Sequence, residues 1–435
     1  MFDLVIKGAI VVLPGGSRQV DIAIKDGLIT KISDSILEDS KKTILAEGKH
    51  LLPGIIDCHV HFRDPGDEEK EDMLTGTKAA LAGGVTTVLD MPNTNPPTID
   101  QKSLDIKKAK ARSGAFSNIG FFLGVSEENI NIIEKIKGYV AIKMYIGSST
   151  GGLLVKEKLL QEEVFKKKLG KLICVHAEDE TMILEAMRLY ENENDPEIHS
   201  CIRHAGVAEK AVLDVIEMAR KYDQRVHICH VSSELELTAI REAKKEGLKI
   251  TCEVAPHHLF LTYDVYEKMG NFVKMNPPLR SEMDTKEMFL GLLDGTVDIV
   301  ATDHAPHTQA EKEKNYWEAP AGVPGVETSL PLMLHEVNTG RISLETLVDR
   351  MCTKPAEIFG IKNKGVIKEG YDADLVLVNL NLEKKVDWAK LYTKCKWSPY
   401  KNWDVKGWPI KTFIKGEEVF SDGNFKRSGR IDILG

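Results

Sequence analysis

Eight short apolar runs, spaced regularly between residues 52 and 305, constrain the fold of this chain more than any other feature. They lie at 52–60, 84–91, 118–125, 139–146, 171–177, 225–231, 248–255 and 297–305. Each has the length of a buried strand. Most are separated by stretches with apolar residues at every third or fourth position, such as AGVAEKAVLDVIEMARKY and SELELTAIREAKKEG. That periodicity is helical. Eight strands alternating with helices predict an α/β fold, a (β/α)8 barrel of the TIM type, in preference to an open doubly wound sheet.

The two ends of the chain read differently. Residues 2–50 contain DLVIKGAIVV and QVDIAIKDGLITKI, with Lys25-Asp26-Gly27 as a hairpin signal. ADLVLVNL and WPIKTFIKGEEVFSDG repeat that style near the C-terminus. Neither piece is large enough for a core of its own, so the two are expected to pack together as one small β-sandwich. The expected division is a composite β domain of residues 1–51 and 360–435 and a barrel domain of residues 52–359. Two longer connections, 181–202 and 305–325, read either as substrate covers or as plain surface insertions.

The 435 residues carry a net charge of -8, which does not favour nucleic acid as a partner. No apolar stretch approaches the roughly 20 residues needed to cross a bilayer, so no membrane partner is expected. The start, MFDLVIKGAIVV, lacks the basic-then-apolar order of a signal peptide. The 7 cysteines form no CxxC pair, and several lie inside apolar runs. Buried thiols in a reducing cytoplasm are the expectation.

In a barrel of this type, chemistry gathers where the strands end. His59 and His61 end the first run and, one residue apart on a strand, point the same way. Lys143 lies late in the fourth, His176 ends the fifth, His230 the sixth and Asp303 the eighth. A lone histidine is more often a core residue; this shared placement points to metal. Lys143 reads two ways. It is an ion-paired or anion-binding lysine, or its amine is carboxylated to N6-carboxylysine, whose carbamate bridges two ions. On the second reading His59, His61 and Asp303 hold one divalent ion, and His176 and His230 the other. The donors suit Zn2+ and leave manganese, cobalt and iron open. Arg63, just beyond the histidines, is a bidentate donor for an anion. Glu178 and Asp179 either orient ligand histidines or cap the next helix. His304, His257 and His258 have no place in the ligand set.

DCHVHFRDPG at 57–66, MPNTNP at 91–96, AIKMYIGSSTG at 141–151, HAED at 176–179, HVSS at 230–233, NPPLR at 276–280 and ATDHAPH at 301–307 together resemble the dihydroorotases of the amidohydrolase superfamily. The likeness covers essentially the whole chain, including SPYKNWDVKGWP near 398. It implies a metal-dependent hydrolase of a cyclic amide, acting in pyrimidine biosynthesis, with Asp303 as proton acceptor and donor. Some members place an aspartate at the bridging position; Lys143 aligns this chain with the carboxylated-lysine members. The resemblance further implies that Arg63, Asn93 and His307 bind the substrate carboxylate and that Asn276 lies near the ring. Asn93 equally reads as a turn-maker in PNTNPP. The Ala321-Gly322 loop reads as a ring contact or as plain flexibility. Allantoinases and hydantoinases share the barrel and the metals, and Arg63 is the discriminator, because allantoin has no carboxylate. A non-catalytic scaffold is the third reading, although such homologues usually lose ligands. The expected partners are a small carboxylate-bearing substrate and a second copy in a homodimer.

Overall fold

The computed structural model describes residues 1–435. The N-terminal piece contains β1 (Leu4–Leu13), β2 (Gly16–Lys25), β3 (Leu28–Ser33), β4 (Thr43–Leu45) and β5 (His50–Pro53). The apolar runs then give β6 (Ile55–Val60), β7 (Val85–Asp90), β8 (Asn118–Gly124), β9 (Ala141–Tyr145), β10 (Ile173–His176), β11 (Val226–Ile228), β12 (Ile250–Val254) and β13 (Ile299–Val300). These eight pair in parallel in chain order. The circle closes at its C-terminal rim, where His61 N donates to His304 O at 2.8 Å and His304 N to His59 O at 3.3 Å. Below that seam, Asp57 accepts from the Thr302 hydroxyl at 2.6 Å and the Thr302 amide at 3.0 Å. The chain is therefore an α/β barrel, as its runs predict.

Two runs differ from their expected extents. The run 52–60 breaks between β5 and β6 at Gly54, where a Cβ would lie 2.1 Å from Thr86 Oγ1. The run 297–305 contains only two strand residues, because its second half leaves the ladder to carry the rim residues. Asp303 there adopts φ 46°, in the left-handed region.

β14 (Leu375–Lys385), β15 (Asp404–Ile414), β16 (Glu417–Ser421) and β17 (Asn424–Phe425) join the N-terminal strands in one nine-stranded mixed sheet. The join is antiparallel pairing of β5 with β14, with Leu51 opposite Leu377. Alternate residues from both ends, including Ile6, Val20, Ile22, Leu375 and Phe413, share one buried cluster. Two C-terminal stretches lie against the barrel instead. Trp397 and Tyr400 pack with Met275, Leu279 and Val323, and β18 (Ile433–Leu434) pairs with the start of β8. No helix is long and apolar enough to cross a membrane.

Sheet, barrel and tail meet at one ammonium. Lys364, with its side chain 3% exposed, lies 2.7 Å from Asp372, 2.5 Å from Asp374 and 3.0 Å from Asp432. Asp374 also accepts from Asn118 Nδ2 on β8 and from Lys415 N, both at 2.8 Å. Replacing Lys364 with methionine leaves three carboxylates facing one another without the cation. It is expected to destabilise the fold by about 3–5 kcal/mol, the usual result of removing one side of a buried ion pair. Urea unfolding measures this, and a loss under about 1 kcal/mol would show that the junction is held by packing alone.

Candidate metal and substrate site

The seam brings three acceptors to one point. His59 Nε2 lies 3.2 Å from His61 Nε2 and 3.3 Å from Asp303 Oδ1, and His61 Nε2 lies 3.0 Å from that oxygen. The outer partners of the rings decide where their protons sit. His59 Nδ1 faces the Glu253 carboxylate, and His61 Nδ1 faces Asn93 Oδ1 at 2.6 Å. Asn93 Nδ2 donates to Thr150 O at 2.8 Å, which fixes the amide so that Oδ1 is the atom facing the ring. Both histidines therefore carry their proton on Nδ1 and turn the Nε2 lone pair inward.

Two lone pairs and a carboxylate oxygen thus converge with no hydrogen between them. Burial pushes the His61 pKa down to about 3, against the pull of Asp303, so protonation does not supply the missing charge. Two imidazole nitrogens and a carboxylate oxygen so placed are a donor set for a cation. The donors fit a divalent ion with nitrogen and oxygen ligands.

His176 and His230 form a second pair, with His176 Nδ1 3.0 Å from His230 Nε2. His176 Nε2 lies 3.1 Å from Glu178, whose pKa burial would raise but Arg203 holds at about 2. Burial keeps both imidazoles neutral. His230 Nδ1 is buried without a partner, so this pair fits a second ion without requiring one. Lys143 on β9 is 0% exposed, and its Nζ contacts only the Cys229 thiol at 3.0 Å and, at 5.1 Å, the Tyr145 ring. No carboxylate forms a direct ion pair with it.

The expected substrate residues divide into two groups. Arg63, at φ 59° and 4% exposed, donates Nε to Pro306 O at 3.2 Å, and its Nη2 lies 3.2 Å from His307 Nε2. Neither partner carries a negative charge, so a buried guanidinium is left open to an anion. Asn93 is partly committed: it orients His61 and spans to Thr150, which leaves one amide hydrogen free. Asn276 sits further out, its Oδ1 accepting from His199 at 2.9 Å, in a cleft of about 290 Å³ that Thr150, Arg203, Lys274 and Ala321 also line. Glu178 stands beside His176 and pairs with Arg203, whereas Asp179 caps the helix Glu180–Leu189 by accepting from Met182 N at 2.9 Å. His304 Nδ1 accepts from Gly325 N at 3.1 Å and is no part of the candidate metal-ligand set.

Glu253 escaped the sequence reading. It lies within β12, contacts His59, sits 3.1 Å from His227 Nε2 and accepts from His230 N at 3.3 Å. His59 overcomes the effect of burial and keeps it ionised, well below the usual range. A glutamate inside the apolar run LKITCEVA was the available signal.

A model described as "Amidohydrolase family" matches residues 50–419. A dihydroorotase of Methanosarcina acetivorans is 38% identical over 100% of this chain and 96% of its own length. A dihydroorotase of Pyrococcus abyssi is 41% identical over 92% of this chain and 91% of its own. Among solved structures, the L-hydantoinase (dihydropyrimidinase) from Arthrobacter aurescens superimposes with TM-score 0.95 at 32% identity, covering 98% of both chains.

Glu253→Gln keeps the side-chain volume and removes the charge that sets the His59 tautomer. Metal affinity is expected to fall about 10–100-fold, as is usual when the outer partner of a ligand histidine is lost. Competition with a chelator on the folded protein reads this directly, and unchanged affinity would remove Glu253 from the metal-supporting shell.

Proposed function

The chain belongs to the amidohydrolase family, and on that premise we propose that it is a dihydroorotase. It opens the cyclic amide of (S)-dihydroorotate to N-carbamoyl-L-aspartate and, in the biosynthetic direction, closes it again. The observation that carries this reading is Arg63, a buried guanidinium beside the metal-type ligands whose side-chain hydrogen-bond partners are a carbonyl and an imidazole, with no carboxylate paired to it. A ring bearing a carboxylate satisfies it by paired hydrogen bonds; an uncharged ring leaves it unpaired and desolvated. The relatives named dihydroorotase support the same reading along the full chain.

In the proposed site, His59, His61 and Asp303 would hold one divalent ion, His176 and His230 a second, and carboxylated Lys143 would bridge them. Zn2+ suits these ligands, and such ions would lower the pKa of water and polarise the ring carbonyl. The residues of the chain do the rest. Arg63 and His307 seat the substrate carboxylate, with the free Asn93 amide hydrogen beside them. Asn276 faces the ring from the outer cleft. Asp303, ionised before reaction, takes a proton from the attacking water as the new C–O bond forms. It returns that proton to the ring nitrogen as the C–N bond breaks. The seven free thiols suit a reducing cytoplasm, where we place the protein as a homodimer.

Direct assay tests the substrate. Hydrolysis of dihydroorotate is expected, with Arg63→Met raising KM roughly 10–100-fold, the worth of a charged hydrogen bond to a buried partner. Turnover of allantoin alone would overturn the dihydroorotase reading, and turnover of hydantoin alone would transfer the chain to the reaction named for its structural neighbour.

Lys143→Ala tests the bridge. Loss of the carbamate removes both a ligand and a negative charge, so at least one metal should leave and activity should collapse. A short added carboxylic acid is expected to restore part of both. Metal analysis of the folded variant decides: full occupancy with near-normal activity would return Lys143 to the role of a core lysine.

A further inference from the structure

Two lysines outside the metal-ligand set are buried without a counter-charge. Lys274 is 8% exposed and Lys312 is 1% exposed. Lys274 Nζ donates to the carbonyls of Tyr316 at 2.5 Å and Ala319 at 2.7 Å. Lys312 Nζ donates to those of Lys274 at 3.0 Å, Pro320 at 2.9 Å and Gly322 at 3.0 Å. Their other close neighbours are aromatic faces, Tyr316 at 4.1 Å from Lys274 and Trp397 at 5.7 Å from Lys312. Burial, reinforced by Arg203, brings the Lys274 pKa down to about 8, which still leaves it charged at neutral pH. Burial and the Lys274 charge press Lys312 down as well. Three carbonyls nevertheless surround its nitrogen, and only an ammonium has three hydrogens to give them.

Four of the five carbonyls belong to residues 316–322, a stretch with no helix or strand. Within it, Pro320 and Gly322 turn their carbonyls to Lys312. The carbonyl between them, Ala321 O, faces the other way, 3.1 Å from His307 Nε2 and 3.3 Å from the Thr150 hydroxyl. Gly322 permits this at φ 144°, where a Cβ would lie 2.5 Å from Ala305 O. The lysines thus hold the loop through four of its carbonyls, while Ala321 O meets the imidazole that stands beside Arg63.

We propose that Lys312 and Lys274 are positioning residues that set substrate preference: they hold residues 316–322 as a fixed wall, aim Ala321 O at His307, and favour a ring bearing a carboxylate. The preference has two sources. Ala321 O takes the Nε2 hydrogen of His307, so the Arg63 guanidinium beside it stays free for the anion, and two unbalanced ammonium charges, that of Lys274 in the cleft wall itself, add to its field. Both act on the bound substrate before the ring opens, so the effect belongs in KM. This inference rests on the dihydroorotase reading for its substrate, while its mechanical half is independent of it.

The test uses the metal-loaded enzyme with Lys312→Met, Lys274→Met and the charge-keeping Lys274→Arg. Expected for both methionine variants are a KM for dihydroorotate raised about tenfold, kcat within about threefold, unchanged metal content, and faster amide exchange confined to residues 316–322. Lys274→Arg is expected to keep KM close to the parent value. Unchanged KM and exchange in the Lys274→Met enzyme would overturn the proposal. So would a joint fall of kcat and metal content with exchange protection lost throughout the barrel, which marks a purely structural role. If Lys312→Met does not fold, the two Lys274 variants decide by the same readouts. Exchange needs no substrate, so a parent enzyme inactive on dihydroorotate would sink the functional reading while the exchange result still judged the clamp.

Discussion

The seam between β6 and the end of β13 is the constraint on which the rest of the molecule depends. Closing the barrel there joins His59 and His61 to the segment carrying Asp303 through backbone hydrogen bonds, and Asp57 locks Thr302 beneath them. The geometry has a cost. Arg63, His230 and Asp303 all sit at positive φ, at 59°, 35° and 46°, a conformation that costs a side-chain-bearing residue of order 1–3 kcal/mol. Each of the three presents a functional group to the same rim. The seam and the buried strands over-determine these backbones, so the strain is held without being released.

A second principle organises the protons. His59 and His61 each direct a ring proton outward, to Glu253 and Asn93. Each turns a lone pair inward. The next ring of side chains balances the charges so created: Arg203 pairs with Glu178, and Glu253 spans His59 and His227. The interior of the site is consequently rich in acceptors and poor in hydrogens, and cations of the metal class are the species that fit it. Beside it lies the opposite case, where Arg63 presents donors with no anion of the chain to receive them. One half of the pocket suits cations and the other an anion, a few residues apart.

Much of this was legible in the sequence because it depends on periodicity and strand ends. Apolar runs marked the strands, and alternation within DCHVH placed both histidines on one side. What periodicity does not carry stayed hidden. Glu253 reads as an interruption in an apolar strand until the fold sets His59 and His227 against it. Nothing in PNTNPP distinguishes an amide that touches a ligand from one that orients His61, because that depends on Thr150, more than fifty residues away in the chain. Glu178 and Asp179 are chemically alike, and only the direction of the chain after β10 separates their roles. Lys274 and Lys312 look like surface lysines, since carbonyl partners leave no mark in a sequence. The short pairing of β18 with β8 involves too few residues to show as a pattern.

The sheet built from both termini has a consequence for how the chain must be made. β1, β2 and β5 present apolar residues as soon as they are synthesised, yet the partner for the β5 edge is β14, more than three hundred residues later. Pairing across that separation is slow and entropically expensive. For most of translation the N-terminal strands therefore stand with an open, sticky edge, while the barrel strands can find neighbours as they appear. The molecule is completed from its centre outward, and its beginning is among the last parts to find its place.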